Sequence, residues 1–234
     1  MRTGIDVEIV CWIGRFGAAS AEHVAERFGI DRSAARERLV SLGQEGLLER
    51  FERPDASHGL YWASKAGLRC FGLERFGVWR EGPEGVEYAW LIAEIAVQLE
   101  RALPDWIVLS AREIVAIEAD SGKQFASVRV GERGHWRMHV PALALESPSD
   151  RIVPVEVQQS SGGESGLVAV CRGWRRAEHV GRVYWLSPVG PARAVRSAAR
   201  EARATERVMV LDLRDMMVLV ASERAREEVK DDLL

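Results

Sequence analysis

Apolar positions in the first part of the chain recur at the spacing of a helix that buries one face. In residues 6–16 they fall three and four positions apart, which predicts an amphipathic helix. Asp6 is placed to cap this helix, whose apolar stripe consists of Val7, Val10, Cys11, Ile13 and Phe16.

A second, shorter helix is predicted to begin after Ser20, a residue type that favours the N-cap position, and to end at Phe28. Gly29 follows it and suits the left-handed conformation that commonly closes a helix. We expect Glu22 and His23 to face out of this helix, and its inner face to hold Val24, Ala25 and Phe28.

The third helix is predicted over residues 33–44, with Asp31 or Ser33 as its cap and an inner face of Ala34, Leu39 and Leu42. Residues 46–53 then alternate in polarity like a strand, residues 54–59 are rich in turn formers, and residues 60–63 form a returning strand. The pattern predicts a β-hairpin, followed by a further helix that opens at residues 64–68.

A change in composition divides the chain near residues 76–85, which contain several glycines and a proline. A strongly apolar helix follows over 87–103 and ends at Pro104. Beyond it, strands are expected at 106–110, 127–130, 137–145, 151–158, 182–186 and 208–211, and helices at 164–178 and 192–204. This order predicts an α+β chain, with domains at 1–80 and 87–222 and a charged tail at 223–234.

The formal net charge of −3 excludes a protein that binds nucleic acid through an overall positive charge. The balance is +1 over residues 1–80, −6 over 81–119 and +2 over 120–234, so any nucleic-acid contact must come from local clusters. Cys11, Cys70 and Cys171 lack metal-ligand spacing and indicate thiols in a reducing compartment. No signal peptide and no membrane-length apolar run is evident, so we expect a cytoplasmic protein with no membrane partner.

Two short helices joined by a glycine turn and followed by a hairpin are typical of a helix-turn-helix with a wing. The segments GIDRSAARERLVSLGQEGLL and YWASKAGL resemble the winged-helix transcription-factor superfamily. The resemblance implies that the third helix enters the DNA major groove while the wing contacts phosphates. The DNA-binding residues would be Arg32, Ser33, Arg36, Glu37, Arg50, Arg53, His58 and Lys65.

Among these residues, Arg36 is expected to bind a guanine edge, because the planar guanidinium matches the O6 and N7 acceptors. Glu37 is expected to accept from a cytosine amine or to orient Arg36. Two alternatives stay open: the arginines form a solvated helix face, or the winged helix docks onto a protein.

The second half resembles the PD-(D/E)XK nuclease superfamily, an α/β sandwich with a mixed sheet, and more narrowly the actinobacterial replication-relaxation family. The stretches that carry the resemblance are Ser110-Ala111-Arg112, His139-Val140-Pro141-Ala142 and residues 155–162. Ala142 replaces the metal-binding aspartate, Gln158 the second acid and Gly162 the lysine. The remnant site would be Glu156, helped by Glu94, and we expect no metal, no cofactor and no cleavage. Glu156 and His139 also have a purely structural interpretation.

A second basic surface is predicted on the helix over 192–204. Its arginines recur at spacings of three and four, which places them on one face, although a solvated face explains the same pattern. They are Arg193, Arg196, Arg200, Arg203 and Arg207.

The sequence therefore predicts a homodimeric, sequence-specific double-stranded DNA-binding regulator. Its nuclease-like domain would serve dimerisation, sensing or partner docking. The alternatives are a metal-dependent nuclease or a plasmid replication or mobilisation protein, and a protein-docking adaptor.

Overall fold

The computed structural model describes residues 4–51, 59–79, 83–132, 135–159 and 164–231. The chain divides into two compact units, Met1–Arg101 and Ala102–Leu234. Helices precede a mixed sheet, as the α+β prediction requires. None of the helices within these ranges combines the length and the apolar composition that a bilayer-spanning segment needs.

The first unit opens with three helices, α1 (Gly4–Phe16), α2 (Ala21–Phe28) and α3 (Arg32–Gln44). The apolar stripe of α1 is buried through Ile9, Val10 and Ile13. Gly29 closes α2 in the left-handed conformation, at φ 63°, and its N–H donates to the carbonyl of Ala25. The three helices therefore begin and end close to where their periodicity predicts.

A hairpin follows, in which β1 (Leu48–Phe51) pairs antiparallel with β2 (Leu60–Ala63). The next elements are α4 (Lys65–Cys70), a 3₁₀ turn at Glu74–Phe76, and α5 (Pro83–Ala102).

Helix α5 belongs almost entirely to the first unit, whereas the sequence assigned it to the second domain. It buries Val86 and Ala89 against Ala18 and Leu60. This packing comes from residues distant in sequence, and it moves the boundary from the 81–86 region to Arg101.

The second unit contains a five-stranded sheet in the order β3-β6-β7-β8-β9. Its first three strands pair antiparallel, and β7, β8 and β9 run parallel. The strands are β3 (Ile107–Ser110), β6 (Leu143–Glu146), β7 (Ile152–Val157), β8 (Val183–Ser187) and β9 (Val208–Asp212). A separate ribbon is formed by β4 (Val128–Glu132) and β5 (His135–His139).

Helices cover the sheet of the second unit. They are α6 (Ala111–Ser121), α7 (Glu164–Arg176), α8 (Val189–Glu201) and α9 (Met216–Asp231), with a 3₁₀ turn at Leu213–Asp215. Trp174 of α7 and Val195 of α8 share a core with Val183 and Trp185 of β8, so these two helices cover one face of the sheet. Side chains alternate along a strand, and Tyr184 points to the opposite face, where its hydroxyl donates to Glu223 of α9 at 2.7 Å.

Residues 223–231, predicted as part of a charged tail, continue α9. Glu223 is buried, and Arg151 and Tyr184 both donate hydrogen bonds to its carboxylate. The long predicted strand 137–145 is also two strands, β5 and β6, separated by residues 140–142.

Candidate nucleic-acid interface

Helix α3 has one buried face and one open face. Ala35, Leu39 and Leu42 are buried, whereas Ala34, predicted to face inward, is only half-buried. Asp31 is the N-cap residue but makes no side-chain cap. The open face carries Arg32, Ser33, Arg36, Glu37, Val40, Ser41 and Gln44.

Arg36 and Glu37 form the centre of this open face. Both side chains are exposed, and neither makes a hydrogen bond or an ion pair with any residue that the structure describes. Their charged ends are therefore available to a ligand without first breaking a contact among those residues.

Arg32 differs from Arg36, because it forms an ion pair with Glu22 of α2. Its side chain is still 58% exposed, so solvent screens the pair and its contribution to stability is small. Arg38, on the inner side of α3, pairs with Asp6 of α1 at 2.6 Å and holds the two helices together. The three arginines of α3 thus have different roles: Arg38 is part of the packing, Arg32 forms an exposed ion pair, and Arg36 is unpaired among the described residues.

The hairpin places Arg50 in the open, with its guanidinium 5.7 Å from the centre of the Tyr61 ring. On the neighbouring position Glu49 accepts a hydrogen bond from Trp62 at 3.1 Å. Lys65 is exposed at the first turn of α4. Arg53 and His58, also predicted to bind DNA, lie outside the described residues.

His23 is fully buried, so the prediction that it faces out is wrong. Its Nδ1 accepts the Ser20 N–H at 3.1 Å, and its Nε2 lies 3.3 Å from the carboxylate of Glu94. An accepting Nδ1 leaves the ring proton on Nε2, facing Glu94. Ser20 and His23 have the spacing of a capping box. That spacing could have indicated the contact between Ser20 and His23 from the sequence.

Glu94 and Glu100 of α5 hold the three-helix region to that helix. Contact with His23 outweighs burial and lowers the pKa of Glu94. Burial raises the pKa of Glu100, even though Arg27 and Arg15 lie beside it. Glu94 is therefore part of the first unit's packing, where Gln98 donates to its carboxylate. That it assists Glu156 stays a prediction.

Glu156 of β7 is buried and is bound by two side chains of its own unit. Its Oε1 lies 2.6 Å from Nε2 of His139 and accepts the indole N–H of Trp174 at 2.9 Å. Cys171 lies in the same core, where burial and the Glu156 charge raise its pKa to about 12. The structural interpretation of Glu156 and His139 agrees with these contacts.

The other positions of the remnant site bring no further carboxylate to Glu156. Ala142 has no coordinating side-chain atom, and its carbonyl accepts the Ala111 N–H at 3.2 Å. Gln158 follows β7, and its N–H donates to the carbonyl of Leu186. Gly162 lies outside the described residues. Within the described ranges there is no group of three histidine, cysteine, aspartate or glutamate side chains that could hold a metal ion.

The second basic surface is smaller than the sequence predicts, because α8 ends at Glu201. Arg193, Arg196 and Arg200 are exposed on the helix, and Arg196 donates to the carbonyl of Val210 at 3.3 Å. Arg203 lies beyond the helix, at φ 54°.

Arg207 is not part of a solvated stripe. Its guanidinium donates to the carbonyls of Ala177 and Val180, which follow α7, and it closes the connection between α7 and β8. The prediction that Arg207 belongs to the surface stripe is wrong. Its acceptors lie about thirty positions away in the sequence, so neighbouring residues do not indicate them.

The chain matches no protein-family model and no curated protein sequence. Among solved structures it aligns with one titled "PigF with SAH", at 15% sequence identity and a TM-score of 0.20. The alignment covers 89% of this chain and 61% of that one, so this chain spans about three fifths of that protein's length. So low a TM-score carries no argument about fold or activity.

Proposed function

We propose that the first unit binds double-stranded DNA as a winged helix, with α3 as the recognition helix in the major groove. The observation that carries the proposal is the open face of α3. Arg36 and Glu37 are exposed there without a partner among the described residues, on a helix whose other face is buried. A rigid helix that presents exposed polar side chains is suited to contacts with base edges.

The residue chemistry of α3 supports a specific contact. Arg36 can donate two parallel hydrogen bonds to a guanine, and Glu37 can accept from a neighbouring cytosine. Arg32 lies one turn nearer the N-terminus of α3, and it can exchange Glu22 for a phosphate, since their ion pair is exposed and weak. Ser33 is exposed between these residues.

The hairpin and α4 supply cations for the DNA backbone. Arg50 and Lys65 are exposed, and phosphate contacts of this kind position a protein without reading sequence. We also propose phosphate contacts for Arg53 and His58, which lie outside the described residues.

In this proposal the second unit is a nuclease-like domain that has lost its chemistry. Glu156 is bound by His139 and Trp174, and the position of the metal-binding aspartate is Ala142. The unit then serves dimerisation, sensing or partner docking in a cytoplasmic transcriptional regulator. The exposed arginines of α8 are a second surface for phosphate or for an acidic partner.

The proposal is tested by selection from a random double-stranded DNA library with the purified full chain, in magnesium and in its absence. A defined sequence motif that is enriched under both conditions is the expected result. Loss of strands that depends on magnesium would support a nuclease instead, and no enrichment at low salt would support a protein-docking adaptor. Either of these results would overturn the proposal.

A further inference from the structure

A cavity of about 600 Å³ lies in the second unit, between the β4–β5 ribbon and the C-terminal end of α7. Its size is in the range of sites for small molecules. The polar and aromatic side chains that line it are Gln124, Arg129, Trp136, Arg176, Glu178 and His179. None of them belongs to the interface proposed for the first unit.

Trp136 gives the cavity an aromatic wall. The side chain is 51% exposed, although tryptophan is usually well buried. It shares a face of the ribbon with Arg129, since Trp136 pairs with Gly131 and Arg129 pairs with Met138. The guanidinium of Arg176 lies 5.9 Å from the centre of the ring. An indole in this position can stack on a planar ligand.

Gln124 and His179 are fixed at the edge of the cavity by a shared acceptor. The Ser127 carbonyl lies 3.1 Å from Nε2 of Gln124 and 3.0 Å from Nε2 of His179. A carbonyl oxygen only accepts, so both side chains donate to it. Neutral His179 therefore carries its proton on Nε2, and its Nδ1 is an acceptor, as is the amide oxygen of Gln124.

The segment that holds Ser127 is itself rigidly attached. The Glu118 carboxylate accepts the N–H groups of Phe125, Ala126 and Ser127 and also the Ser127 hydroxyl. Nδ1 of His179 and the amide oxygen of Gln124 are thus positioned before any ligand arrives. This lowers the entropy cost of binding.

Charge in the cavity favours an anion. Arg129 and Arg176 are both exposed, and neither forms an ion pair within the described part of the chain. Glu178 is the acidic residue of the lining, so the formal balance of the cavity is +1 with His179 neutral. Arginine is well suited to phosphate because its planar fork donates two hydrogen bonds.

We propose that this cavity binds a nucleotide. The base stacks on Trp136, the acceptors of Gln124 and His179 meet amino or imino groups of the base, and Arg129 and Arg176 hold the phosphate. The nucleotide is either free or part of a single strand, because both present a base beside a phosphate. The site is independent of α3 and extends the function of the second unit beyond that proposed above.

The test is calorimetric titration of the full chain with AMP, GMP, CMP and UMP, with the corresponding nucleosides, and separately with a five-nucleotide single-stranded DNA. Trp136→Ala should weaken binding at least about fivefold, the lower end of what loss of base stacking costs, and Trp136→Phe should restore most of it. Arg176→Ala should weaken binding of phosphorylated ligands and leave binding of the nucleosides unchanged.

Arg137→Ala is the matched control, since Arg137 is exposed on the same ribbon and does not line the cavity. It should bind like the wild type. Binding of the mononucleotides would identify a free ligand, and binding of the oligonucleotide alone would identify a single strand. No binding at millimolar concentration, or equal binding by wild type, Trp136→Ala and Arg176→Ala, would overturn the proposal.

Discussion

At the scale of single residues, Ser64 and Gly67 join α4 to the start of the hairpin. The Ser64 hydroxyl donates to the Gly46 carbonyl at 2.6 Å and accepts the Gly67 N–H at 3.0 Å. A β-carbon on Gly67 would lie 2.2 Å from the Leu47 carbonyl oxygen. Glycine is needed there for space rather than for an unusual backbone angle.

Gly67→Ala should therefore destabilise the chain by about 1–3 kcal/mol, the usual cost of inserting an atom into a packed site. Gly43→Ala is the control, because its nearest backbone atom would be 3.9 Å away. That change should be neutral or should stabilise α3 by about 0.5–1 kcal/mol. Urea denaturation measures both, and similar effects of the two substitutions would contradict the packing described.

The ionisation of Glu118 contributes to the stability of the second unit. Burial alone would raise its pKa, but the hydrogen bonds from Ser127, Phe125 and Ala126 outweigh burial and lower it. A carboxyl with a lowered pKa in the folded state adds stability above its unfolded pKa, which is near 4.5. That stability disappears as the pH falls through the lowered value.

Glu118→Gln should thus reduce the free energy of unfolding at pH 7, and its difference from the wild type should shrink as the pH falls below about 4.5. Denaturation at several pH values measures this. Glu206→Gln, at an exposed position of the same unit, should stay within about 0.5 kcal/mol of the wild type throughout. A difference that is independent of pH would show that the Glu118 charge is not what matters.

At the scale of elements, local patterns predicted the helices that carry their own capping and periodicity. This explains why α1, α2, α3 and α5 were predictable. Helix α6 was missed, although Ser110 and Glu113 form a capping box that its sequence displays. The break between β5 and β6 depends on contacts such as that of Ala142 with Ala111, which no local pattern records.

Residues whose partners lie far along the chain were the ones predicted wrongly. His23 is buried with Glu94 of α5 beside it, and Arg207 is held by carbonyls that follow α7. Both looked like surface residues from their neighbours alone. Arg36, by contrast, could be placed correctly because the helical period of α3 determines its exposure.

We predict that the second unit does not cut DNA, because of the side chains near the C-terminal end of β7. Glu156 accepts from Trp174 and contacts His139, and Ala142 offers no oxygen from its side chain. Supercoiled, linear and single-stranded DNA should therefore remain intact with magnesium or manganese, as gel electrophoresis would show. Cleavage by the wild type that is lost in Glu156→Gln would contradict this account and would support an active nuclease.

At the scale of the whole molecule, we expect a symmetric homodimer. Helix-turn-helix proteins commonly pair to read two half-sites about one DNA turn apart. Trp90 of α5 is 38% exposed and is available to such an interface. Light scattering at micromolar concentration should give twice the chain mass of 26.1 kDa. A measured mass equal to that of a single chain, both with and without DNA, would contradict this prediction.

The central claim is that α3 reads DNA sequence, and competition binding of Arg36→Ala tests it most directly. At the preferred site this variant should lose about 1–3 kcal/mol and should discriminate less against a changed base pair. Lys65→Ala should weaken binding to all sequences alike and reduce the salt dependence by about one counterion. Equal, sequence-independent losses in the two variants would contradict the account.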